Sequence, residues 1–213
     1  MNSTPRTAKP CAQRSNTASK PSRIKLHSNP NESRLITGSP STCEIHMLLM
    51  RTRLPTPMGD IILLADGPHL VAPEWGDGIE RSESHLRRHL GAWTEREVRA
   101  LPVISDSFQR YLDGDLDALS RLHFRPPGTE FQRKVWAALQ TIPAGDAWSY
   151  KQLAESIGHP RSFRAVAQAN AKNPIPIAIP CHRVVAANGG LGGFSCGLHR
   201  KEWLLRHEGW LTG

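Results

Sequence analysis

A chain of 213 residues with 38% hydrophobic side chains has room for one or two domains with a packed core. No apolar run approaches the roughly 18 residues that span a bilayer, and no signal-peptide segment follows Met1. A soluble, intracellular chain is therefore expected, and the formal charge of +8 suits a polyanionic partner without specifying one.

That charge is uneven. Residues 1–46 hold seven Lys or Arg against Glu32 and Glu44, a net of +5. The stretch is rich in Ser, Thr, Asn and Pro, shows no period, and cannot bury enough surface to offset ordering entropy. It reads as a disordered basic tail. Three origins stay open: a flexible arm, an organellar address, or an early start codon, since Met47 and Met50 stand where order begins.

From Met47 the pattern changes. Met47–Leu54, Asp60–Asp66 and His69–Trp75 are short apolar runs parted by Pro55-Thr56-Pro57 and Asp66-Gly67-Pro68. They predict a three-stranded antiparallel sheet, with Pro73 placing the third strand at an edge or ending it early. Ile79–Leu90 has helical spacing and stops at Gly91; Ser105–Asp113 predicts a second helix with Ser105 as its N-cap. This makes a small α/β domain over 47–125, and Arg125-Pro126-Pro127-Gly128 reads as the linker to a second domain over 126–213. The fold class is therefore α+β, with a mainly helical second half.

In that half, Thr129 and Gln132 form a capping box ahead of Phe131, Val135, Trp136 and Leu139. Ser149–Ile157 and Ser162–Ala171, joined through Gly158-His159-Pro160-Arg161, fit a helix-turn-helix, although many such pairs never touch DNA. The second of these helices is rich in alanine with Arg164 at its front, which suits close approach to a surface and equally suits packing on a neighbouring helix.

Next, Asn173-Pro174-Ile175-Pro176-Ile177-Ala178-Ile179-Pro180 leads stiffly to Cys181 and His182. A cysteine beside a histidine suggests nucleophile chemistry, since the attacking sulfur is a thiolate; a cysteine in an apolar run also fits an inert core position. The four cysteines, Cys11, Cys43, Cys181 and Cys196, match neither a zinc pattern nor a disulfide framework. Arg200–Glu208 is a C-terminal helix whose Glu208 faces the negative end of the helix dipole, an unfavourable place that orienting a histidine would explain, as would a salt bridge or plain exposure.

Ile179-Pro180-Cys181-His182-Arg183-Val184 resembles the active-site signature of the O6-alkylguanine-DNA alkyltransferases. The similarity runs from about Met47 to the end, through Gly128-Thr129-x-Phe131-Gln132, Ile142-Pro143-x-Gly145, Ser149-Tyr150-x-x-Leu153-Ala154, Arg164-Ala165-Val166, Asn173-Pro174 and Lys201-Glu202-Trp203-Leu204-Leu205-x-x-Glu208-Gly209. Thr56-Pro57-x-Gly59 and Glu74-Trp75 are similar to the bacterial constitutive type, while residues 1–46 lie outside the resemblance.

The resemblance implies a winged helix-turn-helix-like motif and direct reversal of DNA damage. An alkyl group, mainly methyl, would pass from O6 of guanine, and O4 of thymine, to Cys181 once per molecule. It implies Cys181 as acceptor, His182 as base through a water, Glu208 as its orienting carboxylate and Asn173 as the brace of the turn. Arg164 would enter the stack vacated by a flipped base, with Tyr150, Gln132, Ala165 and Ala169 also at the DNA. Tyr150, Val184, Ser195 and Lys201 would surround the base. Duplex DNA carrying O6-alkylguanine is the expected partner. No cofactor or metal is expected, and the protein is expected to be a cytoplasmic monomer.

Two departures stand out. Phe194 occupies a place where the family commonly has Tyr, and Cys196 one where it usually has Gly, which predicts weaker activity on benzyl-sized groups. Two rivals remain. An alkyltransferase-like binder would lack the cysteine that is present here, and a cysteine hydrolase would leave the helix-turn-helix, Arg164 and Tyr150 without purpose.

Overall fold

The computed structural model describes residues 24–27 and 47–212. In chain order the strands and helices are β1 (Ile24–His27), β2 (Met47–Leu54), β3 (Ile61–Asp66), β4 (His69–Trp75), α1 (Ile79–Leu90), β5 (Trp93–Glu97), α2 (Pro102–Leu112), α3 (Glu130–Leu139), β6 (Trp148–Ser149), α4 (Tyr150–Ser156), α5 (Phe163–Ala171), β7 (Val184–Val185) and α6 (Leu198–His207). Short 3₁₀ turns occupy Gly76–Gly78, Ala118–Arg121 and Cys181–Arg183.

The fold is α+β, and its sheet is larger than the sequence suggested. Five strands lie in the order β1-β5-β2-β3-β4. The three expected strands form its antiparallel portion; β5 joins β2 in parallel, and β1 pairs antiparallel with β5. Of the segment 1–46 expected to be disordered, only Ile24–His27 falls among the described residues, as β1; the rest of that expectation lies outside them. β5 escaped notice because Trp-Thr-Glu-Arg-Glu carries little apolar signal. Its Glu95 is nevertheless buried, where it accepts from the Trp93 indole N–H at 3.1 Å and lies 3.6 Å from Arg51.

β3 explains its own composition. Ile61, Leu63 and Ala65 face one apolar cluster and Ile62 and Leu64 the other, so both faces of this strand are covered. On one side Leu86 of α1 caps the smaller cluster. On the other, a continuous core runs from Met58 and Trp75 through Phe108 and Tyr111 of α2 to Trp136, Ile179, Cys181 and Leu204. β4 is an edge strand among the described residues, which accommodates Pro73 opposite Leu63 because no second strand among them pairs with it there.

Helix starts follow local chemistry with one correction. Thr129 and Gln132 make the expected capping box on α3, and Ser149 with Gln152 makes a second on α4. Ser105 is not an N-cap: α2 begins earlier, at Pro102, and Ser105 Oγ reaches back to accept from the Leu101 N–H at 3.1 Å. Pro102 at the first helical position has no N–H to leave unpaired, which favours the earlier start.

Candidate active site

The site begins where α5 ends. The chain from Asn173 to Pro180 cannot continue a helix, because Pro174, Pro176 and Pro180 each remove a donor. Instead it folds on itself. Asn173 Nδ2 donates to the Ile179 carbonyl at 2.8 Å while its Oδ1 accepts from the Ile175 N–H at 3.0 Å. The Ile179 N–H closes on the Ile175 carbonyl at 2.9 Å. Between them Ile177 adopts φ 71°, which is costly for a β-branched residue. Burial of Ile175, Ile177 and Ile179, each no more than 3% exposed, holds the turn in place. Asn173 thus ties the segment that delivers the cysteine.

Cys181 opens a 3₁₀ turn and is 2% exposed. Burial pushes its thiol up to about 11, against the opposing pull of the Asn173 side chain and the Lys201 charge. At neutral pH the group is therefore a thiol, and chemistry at sulfur needs a base.

The next residue supplies one. His182 is fully buried, and its Nε2 lies 3.0 Å from Glu208 Oε1. Burial lowers its basicity below the ordinary 6.5, while Glu208 pulls the other way. A carboxylate beside Nε2 selects the tautomer with the proton there, leaving Nδ1 as the lone-pair nitrogen. Nδ1 has no hydrogen-bond partner among the described residues.

Glu208 is the hub. It caps the C-terminus of α6, and Tyr111 Oη donates to its Oε1 at 2.7 Å. Arg183 grips it bidentately, Nε to Oε2 and Nη2 to Oε1, both at 2.8 Å. Burial alone would push its carboxyl pKa up, but His182 and Arg183 outweigh that and hold the carboxyl well below the usual range. The unfavourable position at the helix end is thus offset by a histidine, an arginine and a phenol. Arg183 in turn donates from Nη1 to the Ile142 carbonyl at 2.5 Å. Tyr111, Arg183 and Ile142 carried no site assignment from sequence. Tyr111 lies 97 residues away with no local signal, whereas an arginine directly after Cys-His in an apolar run was a readable hint of a buried partner.

Lys201 is also buried, its Nζ donating to the carbonyls of Val184 and Gly193, and burial lowers it to about 8. Val184 itself is buried, with its N–H closing on the Cys181 carbonyl and its backbone paired to Trp148. Ser195 is exposed beside buried Cys196. Arg200 fixes this loop to the N-terminal half: it donates to the Cys196 carbonyl at 2.7 Å, pairs with Asp77 at 3.0 Å and lies over the Trp75 ring at 4.9 Å. Cys196, Ser195, Asn173, Pro174 and Pro176 line a half-open 140 Å³ cavity together with Ala72, Glu74 and His85; Cys181 is not among its lining residues.

Tyr150 starts α4 half-buried; burial and the charge of Cys181 raise its hydroxyl, while Asn170 opposes them. On α5, Arg164 and Ala165 are exposed. Ala169 is not: it is 1% exposed and its carbonyl accepts from the Trp136 indole at 2.9 Å, so its expected place at the DNA is corrected to a place in the core. Helical spacing puts 166 and 169 on one face and 165 and 168 on another, and the inward face belongs to α3. Gln132 Oε1 is occupied in the α3 capping box.

Residues 130–210 match the family model described as the DNA binding domain of 6-O-methylguanine DNA methyltransferase. A methylated-DNA–protein-cysteine methyltransferase of Shigella flexneri is 41% identical over 166 residues, covering 76% of this chain and 97% of the relative. One from Methanosarcina acetivorans is 39% identical over 154 residues, covering 72% and 94%. Among solved structures, the O6-methylguanine methyltransferase of Mycobacterium tuberculosis superposes with a TM-score of 0.64 at 34% identity over 76% of this chain and 93% of that one. The same organism's OGT in complex with DNA gives 0.64 at 33%, over 75% and 92%. The chain belongs to the methylated-DNA–protein-cysteine methyltransferase family.

Proposed function

We propose that this protein repairs DNA by moving an alkyl group, chiefly methyl, from O6 of guanine or O4 of thymine to its own Cys181. The observation that carries the residue assignment is the buried run Cys181, His182, Glu208 at the end of a braced turn, one helix away from exposed Arg164. Cys181, His182, Glu208 and Asn173 form the reacting assembly in this reading. Arg164, Ala165, Gln132 and Tyr150 meet the duplex, and Tyr150, Val184, Ser195 and Lys201 surround the base.

His182 Nδ1 accepts the Cys181 proton through a water, Glu208 stabilising the imidazolium as in other nucleophile–base–acid relays. The thiolate attacks the alkyl carbon, a C–S bond forms and the C–O6 bond breaks. The guanine anion takes a proton from the Tyr150 hydroxyl, and the imidazolium proton passes through solvent to the Tyr150 phenolate, which restores both groups. Lys201 favours the thiolate electrostatically. O6 is hidden inside a duplex, so the nucleotide must be extruded, with Arg164 filling its place. The thioether has no hydrolytic exit, so each molecule acts once.

The wider reading places an N-terminal domain over 47–125 and the acceptor domain over 126–213, acting as a monomer in the cytoplasm without a cofactor. No helix among the described residues is long and apolar enough to cross a membrane. The test is a single-turnover reaction with duplex DNA carrying labelled O6-methylguanine, followed by peptide mass mapping. One methyl per protein on the Cys181 peptide, lost in Cys181→Ala, is expected. Repeated turnover would point to a hydrolase, and tight lesion binding without transfer to a binder.

A further inference from the structure

We propose that Phe163 is a DNA-contacting residue that works with Arg164 as a paired wedge, packing on the base step beside the extruded nucleotide. The inference rests on the reading of α5 as the DNA-facing helix. Phe163 is the first residue of α5 and is 46% exposed. It belongs to neither apolar cluster and is not among the half-buried side chains that flank them. The core therefore gives no reason for a phenyl ring here. Its ring faces the neighbouring Arg164, whose guanidinium carbon lies 5.8 Å from the ring centroid.

An isolated exposed hydrophobic is ordinary. What distinguishes this one is its company. It sits at the leading end of a helix whose next two residues, exposed Arg164 and Ala165, are a cation and a side chain too small to hold a surface away, with exposed Gln168 one turn further on. A flat apolar ring next to a flat cation presents two surfaces that stack well on unstacked bases, one through dispersion and both through their planes. Proteins that open the minor groove commonly push an apolar side chain into a base step, where it replaces stacking that the distortion has removed. If Arg164 fills the hole left by the flipped base, the adjacent ring reaches the neighbouring pair rather than the lesion. Phe163 would then lower the cost of extrusion without touching the reacting atoms.

The experiment compares Phe163→Ala, Phe163→Trp and Arg164→Ala with the parent chain in three readings. These are single-turnover transfer from O6-methylguanine in a duplex, fluorescence of 2-aminopurine next to the lesion, and alkylation by the free O6-methylguanine base. Base–aromatic stacking magnitudes imply that Phe163→Ala slows duplex transfer by about tenfold. It should also blunt the 2-aminopurine signal while leaving the free-base rate unchanged, and Phe163→Trp should retain all three. Duplex transfer by Phe163→Ala within about twofold of the parent would overturn the proposal. So would an equal loss on the free base, which would assign the ring to folding. Arg164→Ala separates the two layers. If it slows duplex transfer while Phe163→Ala does not, only the wedge is lost; if neither does, the DNA-facing reading of α5 falls with it.

Discussion

Tyr111 donates its hydroxyl to Glu208 Oε1 at 2.7 Å, joining α2 of the N-terminal half to the carboxylate that holds His182. The sheet-bearing half is therefore a structural support of the relay. Removing the phenol as Tyr111→Phe leaves the ring in the core but takes one of three donors from Oε1. Hydrogen bonds to charged groups are worth about 1.5–3 kcal/mol, so a stability loss of that order and a several-fold slower transfer are expected. Glu208→Gln should be worse, because it leaves Arg183 buried opposite a neutral group, a change that costs about 3–5 kcal/mol, and releases the His182 tautomer. Urea melts and single-turnover rates on the two variants check the order. A faster or equal rate in Glu208→Gln would remove the carboxylate from the relay.

Acid should unfold the protein in two stages. His182 has an ordinary value of 6.5 that burial lowers in the native state. Below about pH 6.5 the unfolded chain binds a proton there that the folded chain does not, so stability falls as pH drops. Glu208, ordinarily 4.5, is held well below that by His182 and Arg183 against the effect of burial. Beneath about pH 4.5 the unfolded state again binds the extra proton, and a second decline begins. Each group contributes a slope of up to about 1.4 kcal/mol per pH unit within its window. Denaturation midpoints from pH 8 to pH 3 test this, with His182→Gln expected to shrink the first window, the remainder belonging to His85, which burial also lowers, and to narrow the second, since His182 helps to hold Glu208 down. A flat profile between pH 7 and pH 5 would show that His182 titrates normally in the folded state and is not the neutral base assigned here.

Much of the site was legible from residues. The Cys181-His182 pair, the proline-punctuated approach and the misplaced Glu208 each carried a local signal, and α1 and the α3 capping box were readable to the residue. What escaped were features made by distance. β5 is mostly charged, and the burial of its Glu95 depends on Arg51 of β2, which no local window connects to it, as well as on the neighbouring Trp93. Tyr111 looks like any core aromatic until α2 packs under α6. Ala169 shows the opposite failure: this alanine-rich helix marks its outside weakly, with Arg164 and Gln168 exposed but Asn170 buried, so period alone left its orientation open until Trp136 fixed it.

Gly145 offers a test of how tightly the relay is held. Its φ is 81°, and a Cβ there would lie 3.1 Å from the Glu208 carbonyl oxygen. Gly145→Ala therefore combines a left-handed backbone cost of about 1–2 kcal/mol with a push on the residue that orients His182. Gly114→Ala is the control, since Gly114 has φ 106° but open space around it. Both should lose comparable stability, and only Gly145→Ala should also slow transfer, by several-fold. Equal rates in the two variants would mean that Glu208 tolerates displacement.

Cys196 sets the last expectation, on alkyl size. It is 5% exposed and shares the 140 Å³ cavity with Asn173, Pro174 and Pro176, while its carbonyl is pinned by Arg200. Because Arg200 also holds Asp77 and Met58, the loop cannot easily swing out to admit a bulky group. Cys196→Gly keeps the carbonyl and its arginine while deleting the side chain. One methylene-sized change in an apolar pocket alters discrimination by about 1–3 kcal/mol. The ratio of benzyl to methyl transfer should therefore rise roughly tenfold or more in Cys196→Gly, with the methyl rate little changed. Single-turnover rates on duplexes carrying O6-benzylguanine and O6-methylguanine measure it. An unchanged ratio would free Cys196 of any part in substrate size and turn attention to Phe194, which flanks the same loop.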